Sequence, residues 1–85
     1  MKATVKFFAA LREMTGTREL TLDVPDGQTV HGLFRQLCVR YPRLADYESA
    51  LFYSVNAEYV SPDHGLRDGD EVAFIPPVSG GGGAD

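Results

Sequence analysis

The sequence predicts an α+β domain: a mixed sheet of four to five strands with one main helix packed on one face. Three observations carry that prediction. Apolar and polar residues alternate near both ends of the chain, as half-buried strands require. One central stretch instead repeats its apolar residues at helical spacing. Short clusters of Gly, Pro, Asp and Asn separate these segments. With 85 residues there is room for one compact core, because so short a chain buries only about 60% of its unfolded surface.

Residues 3–10, Ala-Thr-Val-Lys-Phe-Phe-Ala-Ala, read as the first strand. Ala3, Val5 and Phe7 face one way; Thr4, Lys6 and Phe8 face the other. Gly16-Thr17 marks a turn. Leu20, Leu22 and Val24 then alternate with Glu19, Thr21 and Asp23, so the first two strands read as a hairpin. Pro25-Asp26-Gly27 ends it with turn chemistry. Thr29 is the predicted N-cap of the helix. Val30, Leu33, Phe34, Leu37, Cys38 and Tyr41 form its apolar stripe, and Pro42 stops it. Residues 43–51 carry a weak pattern, enough for a short helical turn. Phe52 to Val55 reads as a strand leading to a turn at Asn56-Ala57, with Tyr59 and Val60 returning. Asp68-Gly69-Asp70 is a tight turn before the last strand, Glu71 to Ile75. Pro76-Pro77 ends that strand, since neither proline can donate to a ladder. A hairpin, a helical crossover and a return to the same sheet make the β-grasp arrangement.

Charge and composition exclude several function classes. The formal charge is −4, with no basic run, so counterion release has little to work with and no nucleic-acid partner is expected. No apolar stretch approaches the ~18 residues of a membrane span, and Met1-Lys2-Ala3 runs straight into a strand pattern. A cytoplasmic protein without a membrane partner is the expectation. The single cysteine rules out an internal disulfide framework, and Cys38 reads as a small packed hydrophobe on the helix's buried face. His31 lies near the helix start without a third ligand, and His64 lies in the Asp63-His64 turn as a structural residue. No metal site is expected.

Four of the nine glycines fall in Val78-Ser79-Gly80-Gly81-Gly82-Gly83-Ala84-Asp85. The chain therefore divides into a domain over 1–77 and a flexible glycine-rich tail over 78–85. Such a tail is either a frayed terminus, a linker, or a segment that threads into another protein's active site. Glycine suits the last role because a backbone without Cβ passes a narrow channel. From Val78 to Gly81 an extended run reaches roughly 13 Å, at about 3.3 Å per residue. Pro76-Pro77 stiffens its base.

The order Val55-Asn56, Asp63-His64, Asp68-Gly69-Asp70-Glu71-Val72-Ala73-Phe74 and Pro76-Pro77-Val78-Ser79-Gly80-Gly81 resembles the small, sulfur-carrying subunit of molybdopterin synthase, the MoaD family. Val5-Lys6-Phe7-Phe8-Ala9 and Leu11-Arg12-Glu13 resemble that family's first strand and the following turn. The similarity covers residues 3–81, and the helix matches in pattern only. The resemblance implies a ubiquitin-like fold whose C-terminal glycine is adenylated by an E1-like, MoeB-like adenylyltransferase using ATP. A sulfur donor would convert it to a thiocarboxylate, which enters the large, MoaE-like subunit. There it would supply sulfur to cyclic pyranopterin monophosphate. On this reading Gly81 carries the sulfur, Gly80 permits the approach, the chain binds no cofactor itself, and the catalytic side chains lie on the partner. A heterotetramer of small and large subunits is implied as well.

The family pattern stops at a diglycine, whereas Gly82-Gly83-Ala84-Asp85 follow here. These residues are a precursor segment removed by a protease, a native tail that regulates sulfur loading, or an addition to the native chain. Cleavage after Gly83 would also leave a diglycine, so Gly83 is the alternative carrier. Strand alternation separately places Phe8, Tyr59 and Ile75 on the sheet face away from the helix, an apolar patch of the kind that marks an interface. Arg12 would be a charged rim contact, and Pro76, Pro77 and Val78 complete the candidate partner-binding set. Competing functions are a ubiquitin-like protein modifier, a sulfur carrier for thiamine synthesis or tRNA thiolation, and a bare interaction module with an inert tail.

Overall fold

The structure, a computed structural model, describes residues 1–77. The expected division at residue 78, and every expectation placed on Val78 to Asp85, lie outside the described residues. Five strands form one mixed sheet in the order β2-β1-β5-β3-β4. They are β1 (Lys2–Phe7), β2 (Glu19–Asp23), β3 (Phe52–Val55), β4 (Glu58–Val60) and β5 (Asp70–Ile75). β1 and β5 run parallel at the centre, and the other neighbours are antiparallel. The long helix α2 (Val30–Arg40) packs on one face, as the sequence predicts. Thr29 caps it, its hydroxyl accepting from the Gly32 amide at 3.0 Å.

The first strand is shorter than its sequence pattern. It stops at Phe7, and Ala9-Ala10 open a short helix, α1 (Ala9–Thr15), where a turn was expected. Burial decides this. Turning the chain helically after Phe8 sends Leu11 into the core with no exposed surface, whereas strand continuation would carry the chain past the sheet edge. Seven residues are two turns, too few to show a helical period in sequence. Gly16 closes α1 at φ 74°, its amide bonded to the Arg12 carbonyl at 2.9 Å. That left-handed position is where glycine has no Cβ penalty.

Residues 42–50 are more ordered than their weak pattern suggests. They form a continuous 3₁₀ helix, Pro42–Ala50. Leu44 is fully buried at one end, and Glu48 bonds both His31 and Arg35 of α2 at the other. Those anchors come from another element, so no local periodicity announces them. β5 begins one residue earlier than expected, at Asp70. The Asn56-Ala57 turn has φ 51° and 71°, the doubly left-handed signature of a two-residue hairpin.

The core lies between the sheet and α2. Phe34 on the helix meets Phe74 of β5 with ring centroids 5.3 Å apart, and Tyr53 of β3 closes on Phe74 at 5.6 Å. Such tilted aromatic pairs contribute about 0.5–1.5 kcal/mol each beyond area burial. Val5, Val30, Leu33 and Val72 fill the space around them with no exposed surface. Truncating Phe74 to alanine would cost about 3–5 kcal/mol, comparable with the whole stability of a small domain.

Candidate functional site: the uncovered sheet face and the end of β5

Side chains alternate across a sheet, so every strand that feeds the core also builds the opposite face. Strand register places Lys6 beside Ala73, Ala73 beside Ser54, and Ser54 beside Tyr59. The next row pairs Ile75 with Phe52. Among the described residues no helix covers this face. Tyr59 is 74% exposed, Phe52 59% and Phe8 46%, while Ile75 is half-buried. The face thus gathers Phe8, Tyr59 and Ile75 as the sequence expects. They line one shallow groove of about 310 Å³ with Lys6, Ser54 and Glu71.

Phe52 belongs to the same surface and escaped the sequence reading. Its ring meets Tyr59 edge-on, centroids 6.1 Å apart. The signal was present: if Tyr53 and Val55 point into the core, Phe52 must point out. Charge at the rim is partly neutralised, Lys6 Nζ lying 3.2 Å from a Glu71 carboxylate oxygen. Arg12 stands exposed in the last turn of α1, not in a loop.

β5 holds the root of the C-terminal segment. As a central strand it is paired on both sides, with β1 up to Phe74 and with β3 up to Ile75. Pro76 is buried and Pro77 exposed, so the chain leaves the sheet from a fixed point beside the apolar face. Expectations for Val78, Gly80, Gly81 and Gly83 fall outside the described residues.

Other residues weighed from sequence sit elsewhere. Cys38 is half-buried on α2, and desolvation raises its thiol pKa, which leaves it a poor nucleophile. His64 is exposed, and its backbone carbonyl accepts the Val30 amide at the start of α2. His31 bonds Glu48. Among the described residues no three His, Cys, Asp or Glu gather to hold a metal ion, and no helix is long and apolar enough to cross a membrane.

The ThiS family matches residues 5–81, nearly the whole chain and through Gly81. The chain belongs to the ThiS family. Within that family it is similar to the molybdopterin synthase sulfur carrier subunit of Escherichia coli strain K12, at 46% identity over 81 residues, covering 91% of this chain and 96% of the relative. A solved structure from Pyrococcus furiosus, named for molybdopterin converting factor subunit 1, is 32% identical with a TM-score of 0.81 and covers 92% of this chain and 99% of its own. The small archaeal modifier protein 1 of Haloferax volcanii shares the fold at 26% identity and TM-score 0.79, covering 91% and 98%. A chain in the complex of subunits 1 and 2 of the molybdopterin-converting factor from Helicobacter pylori shares it at 19% identity and TM-score 0.67, covering 92% and 96%. The β-grasp architecture expected from the element order is therefore the ThiS family fold.

Proposed function

We propose that this chain is the sulfur carrier subunit of a molybdopterin synthase in molybdenum cofactor biosynthesis. The observation that carries this reading is the placement of β5: a central strand delivering the C-terminal segment at the rim of an uncovered apolar face. The family match reaching Gly81 supports it.

The chemistry follows from the poor electrophilicity of a carboxylate. A carboxylate oxygen of the terminal glycine attacks the α-phosphorus of ATP on an E1-like adenylyltransferase, and pyrophosphate leaves. The acyl adenylate is a mixed anhydride. Sulfide-level sulfur from a donor displaces AMP, forming the C–S bond as the C–O bond to AMP breaks, and the thiocarboxylate formed is a soft nucleophile, ionised at neutral pH. It then enters the large subunit, where its sulfur bonds to a carbon of cyclic pyranopterin monophosphate; water cleaves the resulting acyl–sulfur bond, leaving the sulfur on the pterin and returning the glycine as a carboxylate. Gly81 is the carrier in this scheme, with Gly82 to Asp85 removed first by a protease. The apolar face of Phe8, Phe52, Tyr59 and Ile75 docks on the partner, which holds the catalytic side chains. All of this takes place in the cytoplasm.

The test is a form ending at Gly81, given ATP, adenylyltransferase and a sulfur source. Its intact mass should rise by the difference between sulfur and oxygen, and the product should then convert the pyranopterin with the large subunit. Sulfur uptake by the 85-residue chain but not by the Gly81 form would overturn the assignment of the tail. A second reading, conjugation to lysines as a modifier, draws on the likeness to the Haloferax modifier. Stable lysine conjugates in cells, without a molybdenum cofactor defect on deletion, would favour it.

A further inference from the structure

The charges of this acidic domain are sorted by position. Arg18 offers its carbonyl to the Phe7 amide at 2.9 Å, where β1 ends. Arg12 follows that strand directly on α1. Arg40 is the last residue of α2, and the adjacent Tyr41 ring lies 6.5 Å from Phe7. Arg43 borders a cleft shared with Ala10, Glu13 and Met14 of α1. All four arginines are exposed and stand at the end of the sheet where β5 finishes at Ile75.

None of them makes an ion pair among the described residues, whereas Lys2, Lys6 and Arg35 each do. Glu13 lines the cleft of Arg12 and Arg18 and also that of Arg43, and Glu19 follows Arg18, yet neither carboxylate forms an ion pair with these arginines among the described residues. Most of the other carboxylates stand at the opposite end, apart from Asp46 and Glu48 on the 3₁₀ helix. Asp68 accepts from the Lys2 amide, Asp70 opens β5, and Asp23 closes β2. Asp26 lies beside the N-terminus, with Glu58 and Asp63 near the turns of that end. Helix dipoles account for Arg12 and Arg40, which lie in last turns. They do not account for Arg18, outside any helix, or for Arg43, at the start of the 3₁₀ helix.

We propose that Arg12, Arg18, Arg40 and Arg43 form a cationic collar that steers the domain, C-terminal segment first, onto an acidic protein surface surrounding the site the segment enters. The collar borders the apolar face through Phe8, giving the polar rim and apolar centre of a protein interface. A net charge of −4 would otherwise repel an acidic partner, so the collar sets orientation more than affinity. This deepens the proposed function and rests on it for the identity of the partner.

Two measurements separate the collar from that identity. The isotope-labelled full chain is titrated with a short polyglutamate peptide. Amide shifts should concentrate at Arg12, Arg18, Arg40 and Arg43 and vanish in roughly 0.5 M salt, where screening is nearly complete. In the second, the association rate with the large synthase subunit is followed by stopped flow. Arg40→Glu with Arg43→Glu should slow it about tenfold at low salt, while Arg67→Gln, at the acidic end, should not. Unaltered amide spectra away from the substitutions show that the variants fold. Peptide shifts that are absent or lie at the Asp68 end overturn the collar, as does an unchanged association rate in the double variant. Tighter binding of poly(U) than of polyglutamate overturns it in favour of nucleic acid. Shifts at the collar without any association with the large subunit leave the collar standing and overturn the proposed function.

Discussion

Phe52 and Tyr59 touch edge-on across β3 and β4, on the sheet face opposite α2. Both rings are mostly in water, 59% and 74% exposed. Large aromatics left in that position are costly to keep wet and gain most when a partner dries them. Phe52→Ala should therefore raise the Kd for the large subunit at least tenfold, an interface effect above ~1 kcal/mol. Folding stability should move by less than about 0.5 kcal/mol. Calorimetric titration beside a thermal melt reads both. The double variant with Tyr59→Ala should cost less than the sum, because the rings share a contact.

The β3–β4 turn offers an opposite pair of effects. Ala57 sits at φ 71°, where a Cβ costs roughly 1–2 kcal/mol, so Ala57→Gly should raise stability by about 1 kcal/mol. Asn56 tolerates φ 51° and also bridges to β5. Its Nδ2 donates to Asp70 at 2.9 Å, and its Oδ1 accepts the Glu71 amide at 3.0 Å. Asn56→Ala should lose about 1–2 kcal/mol. Urea midpoints at constant m decide both; a stabilised Asn56→Ala would contradict the bridge.

Glu48 ties the 3₁₀ helix to α2. Its hydrogen bond with His31 is the main reason its pKa falls below the ordinary 4.5, and the charge of Arg35 adds to this. A carboxyl whose folded pKa is depressed stabilises the native state above its unfolded pKa, and that contribution is lost as pH falls through the folded value. Thermal midpoints should thus drop more steeply in wild type than in Glu48→Gln as pH falls below about 4.5. Parallel curves would show that the pair contributes nothing, as many exposed pairs do.

β2 is an edge strand whose outward backbone groups belong to Glu19, Thr21 and Asp23. Two of these residues are already engaged. Thr17 Oγ1 donates to the Glu19 carbonyl at 2.9 Å and accepts its amide at 3.4 Å, and Gln36 Nε2 donates to the Asp23 carbonyl at 3.0 Å. An edge blunted in this way resists strand addition by another chain. Thr17→Val with Gln36→Leu should increase self-association, seen as a rising sedimentation coefficient with concentration. A variant that stays monomeric would rule out edge protection.

Much of this protein was legible from local pattern. Thr29 as N-cap, the Val30–Leu37 stripe, the Asn56-Ala57 turn and the alternation of β1 and β5 are short-range facts, because each depends on neighbours within a turn or a pleat. The family resemblance was equally local, since it rests on short runs: Val5–Ala9 and Leu11–Glu13 near the start, and the stretch from Asp68 to Gly81. Four things were not written locally. The helix at Ala9–Thr15 forms because Leu11 finds the core, and the 3₁₀ helix forms because Glu48 finds His31 and Arg35. Phe52 joins Tyr59, and Arg18, Arg40 and Arg43 share one end of the molecule, only once five strands and α2 are assembled. The sequence by itself determined the strands, the main helix and the family. The tertiary structure decided which surfaces stay uncovered and which charges face the same way, because burial and proximity depend on residues far apart in the chain.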